Sequence, residues 1–270
     1  MLSIIIPTLN EAVSLPRLLR DLSQQVYRDF EVIVVDGQST DKTISRAKEF
    51  SRSLPKLKVI ISPKAHVCVQ RNLGAKSARG KILVFIDADS RIDPSFLLGL
   101  GYRWETSQAD MLSFWLKPDI INRQNESLAL AVNLFRELQN NLNPRYLLEA
   151  LFAIDRAAYS AVKGFDESIN YAEGSRLIRV LVKAGYVSKI VRDPVFTYSF
   201  RRLRRMGLLT MSGTIARLEL SNLVGKNYQS LLAKKIYPMV GGRQFGYNPR
   251  AKNRFVAKIK QLLESLDQSI

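Results

Sequence analysis

The first half of the chain alternates short, uniformly apolar runs with longer segments of helical periodicity. The apolar runs are rich in Ile and Val, and they cover Leu2–Pro7, Glu31–Asp36, Leu57–Ser62 and Ile82–Asp87. Runs of consecutive apolar residues, unlike runs that alternate with polar ones, are typical of parallel strands buried on both faces of a sheet. We therefore predict four parallel strands in this half of the chain.

Helical patterns lie between these predicted strands. In the first helix four leucines share one face: Leu15, Leu18, Leu19 and Leu22. We predict a second helix from Asp41, whose side chain can cap it, to Phe50, and a third over Val69–Ala78. Strand–helix–strand units in this order predict an α/β fold with a doubly wound, mainly parallel sheet that is flanked by helices.

The second half of the chain has a weaker pattern. Helical periodicity predicts helices over Pro94–Ser107, Ser127–Asn140 and Leu177–Ala184. Apolar runs predict strands over Met111–Lys117, Val187–Val191 and Val195–Phe200, and the apolar segment Leu147–Ala161 has no clear period. These elements extend the same α/β fold, and a change in composition near Arg201 marks where it ends.

Composition adds two constraints. Hydrophobic residues make up 46% of the 270 residues, which is enough to build a core. The single cysteine, Cys68, cannot form a disulfide within the chain, which fits a reducing compartment. The first residues lack the basic segment of a signal peptide, and no apolar run reaches the roughly 20 residues of a membrane-spanning helix. We therefore expect a cytoplasmic protein.

Positive charge is concentrated at the C-terminal end. The formal net charge is +17, and residues 201–270 contain 14 Lys and Arg against 3 Asp and Glu. Four apolar residues there share one helical face: Phe255, Ile259, Leu262 and Leu266. A basic helical tail fits peripheral binding to the anionic inner face of the cell membrane, or a lipid phosphate; it also fits a solvated or packed helix. A nucleic acid is disfavoured, because the tail has no recognised binding motif.

Polar side chains follow three of the predicted strands, at the point where each strand ends. They are Thr8, Asn10 and Glu11 after the first strand, Asp36 and Ser39 after the second, and Asp87 and Asp89 after the fourth. Because ligands bind beyond the carboxyl ends of parallel strands, these side chains should share one site. The set is rich in carboxylates, which favours a site that holds a metal and recognises hydroxyl groups or a base.

Asp87 and Asp89 form the most specific pair. Their spacing of two residues at a strand end lets both carboxylates turn toward one cation. Hard oxygen ligands suit Mg²⁺ or Mn²⁺, which then bridge phosphate oxygens. The alternative is that an aspartate caps the next helix, but Ser90 and Asp93 already serve that need.

Four segments of the first 90 residues carry a family resemblance: Ile4–Glu11, Val32–Asp41, Arg71–Ala75 and Phe85–Asp89. In them, and in Gly164–Glu167 and Lys183–Tyr186, the chain resembles the family 2 glycosyltransferases of the GT-A fold. The resemblance covers about residues 1–200. It implies an inverting transfer from a nucleotide-diphospho-sugar, with UDP or GDP, to a glycan or lipid-linked acceptor, in the synthesis of a glycan, a glycolipid or a cell-envelope polysaccharide.

The resemblance also implies roles for the candidate residues. The residues that it implies around the nucleoside of the donor are Pro7, Thr8, Asn10, Glu11, Asp36 and Ser39, with Arg71 nearby. Asp87 and Asp89 are implied at the diphosphate and at a divalent metal, Mn²⁺ or Mg²⁺. Residues 1–110 are then the nucleotide-binding half and residues 111–200 the acceptor half of one domain. Residues 201–270 are a basic helical appendage.

One departure from the family pattern concerns the catalytic base. Sugar transfer needs a group that takes the proton of the acceptor hydroxyl. The family supplies it from a Glu-Asp pair that opens a helix, but here Glu173 is followed by Gly174. Either Glu173 is the base, or the register differs, or the chain binds a nucleotide-sugar without catalysis. Glu173 also fits a plain first-turn position that the helix dipole favours.

Arg201 and Arg202 open the tail in a Ser-x-Arg-Arg segment that some relatives share. Arginine presents planar donors that suit phosphate, which predicts contacts with the donor diphosphate or an acceptor lipid phosphate. The alternative is a solubilising loop. A nucleotidyltransferase on a similar fold is a further alternative, disfavoured because the loop after the first strand is acidic and lacks the glycines that grip a triphosphate.

Overall fold

The structure is a computed structural model of the chain and describes residues 1–144, 147–169 and 172–206, with side chains up to Arg204. The predicted appendage lies outside the described residues from residue 207 onward, and so does the apolar face predicted at its end. Across the described residues, no helix combines the length and the apolar character needed to cross a bilayer.

The strands of the described part form one sheet. They are β1 (Leu2–Thr8), β2 (Phe30–Asp36), β3 (Leu57–Ile61), β4 (Ile82–Ile86), β5 (Arg91–Ile92), β6 (Met111–Pro118), β7 (Leu151–Asp155) and β8 (Ser188–Tyr198). Their order across the sheet is β3-β2-β1-β4-β7-β6-β8-β5. The first four strands of this order are parallel, as the apolar runs predict.

The helices cover both faces of this sheet. They are α1 (Leu15–Ser23), α2 (Thr43–Lys48), α3 (Val67–Ser77), α4 (Phe96–Ser107), α5 (Arg123–Leu142), α6 (Arg156–Ala161), α7 (Glu173–Lys183) and α8 (Arg201–Met206). Alternate side chains of β1 pack on opposite faces of the sheet. Ile4 and Ile6 pack with the leucines of α1, whereas Ile5 packs with α3, α6 and α7. The central strands β1 and β2 are therefore buried on both sides.

Strand β7 runs against its neighbours. It pairs antiparallel with both β4 and β6, and Ile86 at the end of β4 faces Leu151 at the start of β7. The N-terminus of β7 therefore lies at the same edge as the carboxyl ends of β1, β2 and β4. Residues that precede this strand, and not those that follow it, reach that edge.

Helix α3 packs tightly against the sheet. A Cβ atom at Gly74 would collide with the side chain of Ile5 in β1, so a glycine lets the helix approach the strand closely. This contact sets the height of α3 above the sheet and with it the position of Arg71, one turn earlier. The predicted Arg71–Ala75 segment is thus a packing element as well as a site element.

The second half matches the predicted elements with adjusted boundaries. The two predicted strands Val187–Val191 and Val195–Phe200 form the single strand β8, with a register irregularity where it pairs with β6. The predicted helix Leu177–Ala184 begins earlier, at Glu173, directly after Ala172, which adopts a left-handed conformation with φ 54°. The segment Leu147–Ala161 splits into β7 and α6.

Candidate active site

The ends of β1 and β2 are joined by a network of hydrogen bonds. The carboxylate of Asp36 accepts from the backbone N–H of Ser39 at 2.8 Å and from its hydroxyl at 2.5 Å. The Ser39 hydroxyl in turn accepts from the backbone N–H of Asn10 at 2.7 Å, and Oδ1 of Asn10 accepts from the backbone N–H of Thr40 at 2.9 Å. Asn10 has φ 54°, a conformation that asparagine tolerates well. The two loops therefore hold each other in place.

The hydroxyl of Thr8 has an unusual environment in this network. Thr8 pairs with Asp36 in the sheet register, and Pro7 precedes it as a buried residue of β1. Its buried hydroxyl oxygen has no hydrogen-bond partner among the described residues. Buried polar groups are normally paired, so an orphaned hydroxyl at a strand end indicates a position that a ligand can satisfy.

Arg201 connects the start of α8 to two strand ends. Its guanidinium donates to both carboxylate oxygens of Glu11, at 2.7 Å and 3.2 Å, and its Nε lies 2.9 Å from Oδ2 of Asp89. Glu11 is buried, and its backbone N–H donates to the hydroxyl of Thr43 at 2.8 Å. The first residue of the predicted appendage thus lies inside the candidate site.

A second buried arginine lies on the other side of Asp87. Arg71, on α3, donates to Oδ1 of Asp87 at 3.1 Å and to Oε2 of Glu149 at 2.5 Å. The ring of Phe165 lies 5.1 Å from the centre of this guanidinium. Only 3% of the Arg71 side chain is exposed, and the two nearby carboxylates offset the cost of burying its charge. Arg71 therefore holds two acidic side chains from different elements in one cluster.

Glu149 continues this cluster to the start of α7. Its Oε1 accepts from the backbone N–H of Gly174 at 2.6 Å. Glu173 precedes that glycine and is buried, and its Oε1 has no hydrogen-bond partner among the described residues. Burial raises the pKa of Glu173 above its usual range, and the charge of Glu149 raises it further, against the opposing effect of Arg71. The site therefore contains a carboxyl group with a high proton affinity and one unsatisfied oxygen.

Asp87 and Asp89 lie at the end of β4, as their place in the sequence predicts. Burial raises the pKa of Asp89 to about 6, against the opposing effect of Arg201. Arg202 is half-buried near this pair: desolvation lowers its pKa, while Asp87 and Asp89 act in the opposite direction. The two aspartates are thus partly exposed carboxylates with arginines on both sides.

The chemistry of this pair fits a divalent cation that is shared with a ligand. Within the described residues, no group of three or more His, Cys, Asp and Glu side chains is arranged to hold a metal by itself. Mg²⁺ and similar ions usually take one or two carboxylates from the protein and further oxygens from substrate phosphates and water. Two aspartates at one strand end match that need, and they do not match a closed structural metal site.

Eight of the twelve predicted site residues are joined by contacts into three groups at one edge of the sheet. The described contacts join Asn10, Asp36 and Ser39 in the first, Glu11, Asp89 and Arg201 in the second, and Arg71 and Asp87 in the third. Their roles in binding stay predictions. Sequence reasoning missed Glu149, because it searched the residues that follow each strand. Reading β7 as antiparallel would have directed the search to the residues before it.

Similar proteins extend this description. The chain is 40% identical over 93 residues to the PGL/p-HBAD biosynthesis glycosyltransferase of Mycobacterium tuberculosis, a match that covers 34% of this chain and 36% of that protein. It is 36% identical over 94 residues to an uncharacterized glycosyltransferase of Haemophilus influenzae, over 35% of this chain and 31% of that protein. The chain thus spans about a third of the length of these curated relatives.

Solved structures share the fold over a longer range. The mannosyltransferase PcManGT of Pyrobaculum calidifontis, in complex with GDP-Man and Mn²⁺, matches 97% of this chain and 80% of its own, with TM-score 0.62 and 20% identity. Residues 1–349 of S. aureus TarS, in complex with UDP-GlcNAc, match 74% of this chain and 58% of their own, with TM-score 0.61 and 22% identity. The architecture is therefore the GT-A fold of glycosyltransferases.

The family assignment rests on the longest match in sequence. The profile of glycosyl transferase family 2 matches residues 3–159, which is more than half of the chain and includes the ends of β1, β2 and β4 together with Arg71 and Glu149. The chain therefore belongs to glycosyl transferase family 2.

Proposed function

We propose that this chain transfers a sugar from a nucleotide-diphospho-sugar to an acceptor hydroxyl, with inversion at the anomeric carbon and with a divalent metal. One observation carries the proposal. The guanidinium of Arg71 contacts Asp87, on the side proposed for the diphosphate, and Glu149, beside the buried Glu173. The reaction needs a group that holds the leaving phosphate and a group that takes a proton. Arg71 links Asp87, proposed for the first, to Glu149, which lies beside Glu173, proposed for the second.

The donor side is assigned to the ends of β1, β2 and β4. The carboxylate of Asp36 would accept a hydrogen bond from the nucleoside, and the unpartnered hydroxyl of Thr8 would donate one to it. Arg201 would face the diphosphate. Asp87 and Asp89 would hold Mn²⁺ or Mg²⁺, which stabilises the charge that develops on the leaving diphosphate. The fold relatives bound to GDP-Man with Mn²⁺ and to UDP-GlcNAc support a nucleotide-sugar donor and leave open whether it carries UDP or GDP.

The acceptor side is assigned to Glu173. In the proposed step, the acceptor oxygen forms a bond to the anomeric carbon while the bond from that carbon to the diphosphate breaks. The electron pair of that bond leaves with the diphosphate, and the hydroxyl proton passes to the carboxylate of Glu173. Attack from the face opposite the leaving group inverts the anomeric configuration. The unpartnered Oε1 of Glu173 favours this catalytic role over binding alone.

The acceptor class is the least constrained part of the proposal. The mycobacterial relative is named for the biosynthesis of PGL and p-HBAD. We propose a glycan or lipid-linked acceptor, used in the synthesis of a glycan, a glycolipid or a cell-envelope polysaccharide. The charge excess of residues 201–270 supports an anionic membrane surface, at the cytoplasmic inner face of the cell membrane, as the place where such an acceptor is met.

A thermal-shift panel of UDP- and GDP-sugars, each with Mn²⁺, Mg²⁺ or a chelator, tests the donor. A ligand that binds only the folded protein at 100 times its Kd adds about 2.7 kcal/mol to the stability. We expect one nucleotide series to raise Tm with metal and not with chelator. The best donor is then used for transfer to lipid-linked and free glycan acceptors, and NMR of the product gives its anomeric configuration. No stabilisation by any nucleotide-sugar, or a retained configuration, would contradict the proposal.

A further inference from the structure

Gly174 occupies a position where the structure leaves no room for a side chain. A Cβ atom at this position would lie 2.5 Å from Cγ of Glu149 and 2.9 Å from its Cδ and Oε1. The backbone N–H of Gly174 donates to the same carboxylate at 2.6 Å. The side chain of Glu149 therefore fills the volume that a residue at position 174 would otherwise use, and it does so with a carboxylate.

The carboxylate of Glu149 is held on two sides. Oε2 accepts from Arg71 at 2.5 Å while Oε1 accepts from Gly174, so both oxygens are fixed by donors of different elements. The side chain is 19% exposed. Charge-assisted hydrogen bonds of this length are strong. Glu149 is thus a rigid negative charge next to Glu173.

The strand topology brings this residue to the site. Glu149 precedes β7 by two residues, and β7 is antiparallel to β4. The backbone N–H of Asp87, directly after β4, donates to the carbonyl of Ala150 at 2.9 Å. The segment before β7 is therefore fixed to the segment that carries the proposed metal ligands, and Glu149 lies between these ligands and the start of α7.

We propose that Glu149 is the partner carboxylate of Glu173 in the proton-accepting site, and that it takes the place of a side chain that position 174 cannot carry. This inference rests on the proposed function. Glu149 acts as a positioning residue: it pairs with Arg71, and its charge increases the affinity of Glu173 for the proton of the acceptor hydroxyl. In the proposed step the proton ends on Glu173.

Moving the carboxylate from one position to the other tests the geometry. Glu149→Ala removes the group, and we expect kcat to fall by about tenfold or more, because supporting residues of this kind contribute on the order of 10–100-fold. Gly174→Asp alone should lower Tm, since its Cβ meets the Glu149 side chain. The double variant Glu149→Ala/Gly174→Asp has room for the new side chain in the first turn of α7. We therefore expect its kcat to be higher than that of either single variant. Its Tm should be higher than that of Gly174→Asp.

The pH profile separates a positioning role from a purely structural one. Glu149→Gln keeps the shape and the acceptor oxygen for Gly174 but removes the charge. Because that charge raises the pKa of Glu173, the acid limb of kcat/KM should move to lower pH in this variant, with a lower plateau. The charged and titratable groups that interact with Glu173 from neighbouring elements are Glu149, Arg71 and Cys68, and the last two do not change in this variant. Glu126→Gln, an exposed change on α5, should leave the profile where it is.

The outcomes separate this inference from the proposed function. A wild-type protein that transfers no sugar from any donor overturns both. If the wild type is active, a double variant no better than its parents, or a Glu149→Gln profile with an unmoved acid limb, overturns the role of Glu149 alone. If the double variant exceeds Gly174→Asp in Tm but does not exceed the single variants in kcat, the two positions share space and Glu149 has no part in the reaction.

Discussion

The Nε atom of Arg201 lies 2.9 Å from Oδ2 of Asp89, so the first residue of α8 gives a positive charge to a carboxylate that we predict binds a metal. The same guanidinium makes a two-point contact with the buried Glu11 after β1. An arginine that already bridges two strand ends is poised to meet a third anionic group there. The beginning of the basic segment is thus part of the site, and not only a solvated end of the fold.

Arg201→Gln should weaken the binding of UDP or GDP and leave the binding of the free nucleoside nearly unchanged. Hydrogen bonds to charged groups contribute about 1.5–3 kcal/mol, so we expect the Kd for the diphosphate to rise by about one to two orders of magnitude. Isothermal titration with nucleotide and nucleoside measures both. Arg204→Gln is the matched control, because Arg204 lies on the same helix but pairs with Asp119. Tighter metal-dependent binding in Arg201→Gln would contradict the prediction and would indicate competition for Asp89.

Asp89→Asn should abolish the part of donor binding that depends on metal. The amide keeps the size of the side chain but loses the charge that a hard divalent cation needs. The measurement is the rise in Tm produced by the nucleotide-sugar with Mn²⁺, compared with the rise in chelator. Asp93→Asn is the control, since Asp93 is exposed and pairs with Lys117. Full metal dependence in Asp89→Asn would exclude this residue from the metal site.

Asp36→Asn should weaken the nucleotide and the nucleotide-sugar by the same factor, because the predicted contact is with the nucleoside that both share. Asparagine can still accept from the backbone N–H of Ser39, so the loop should keep its shape. Competition binding with UDP or GDP, and with the matching nucleotide-sugar, gives the ratio of the variant Kd to the wild-type Kd for each ligand. Asp29→Asn, an exposed change before β2 at the opposite edge of the sheet, is the control. A loss restricted to the sugar conjugate would disprove the nucleoside contact.

The first half of the fold could be predicted because its local signals agree with one another. Each apolar run, such as Val32–Val35, is followed by a polar strand end and then by a helical pattern, so strand, edge and connection all point to the same sheet. Rules for open α/β sheets then place Asp36, Asp87 and Asp89 at one edge without any knowledge of packing. The bulk of the candidate site follows from that one rule.

The rest depends on tertiary contacts that no local pattern contains. The direction of β7 is decided by its pairing with β4 and β6, and a run of four apolar residues is compatible with either direction. Glu149 could not be assigned without that direction. The contact of Arg201 with Glu11 spans 190 residues, and only the folded sheet brings the start of α8 back to β1.

The basic segment should bring the protein to anionic membranes. Residues 201–270 contain 14 Lys and Arg against 3 Asp and Glu, and each basic residue near such a surface contributes on the order of 1 kcal/mol. We expect flotation with vesicles that contain anionic lipid at low salt, and weaker flotation at high salt because the charges are screened. Neutral vesicles are the control. Absence of binding to anionic vesicles at low salt would leave only the interpretation of a solvated surface.

Glu173→Gln should lower turnover and leave donor affinity nearly intact. The amide keeps the size of the side chain but cannot take the proton of the acceptor hydroxyl, and a general base contributes typically 10²–10⁴-fold. Single-turnover transfer rates and the Kd of the donor separate the two effects. Turnover close to that of the wild type would show that another group takes the proton.

The same substitution should stabilise the protein as the pH rises. A carboxyl group whose pKa is raised in the folded state binds its proton more tightly there than in the unfolded chain. It therefore costs stability as the pH increases from the ordinary value of Glu, about 4.3, through the raised value. Glutamine carries no such cost, so the Tm of Glu173→Gln should exceed that of the wild type by more at pH 8 than at pH 4, whereas Glu126→Gln should show no such widening. A Tm difference independent of pH would mean that Glu173 has the same pKa in the folded protein as in the unfolded chain, and that it lacks the raised proton affinity proposed for this role.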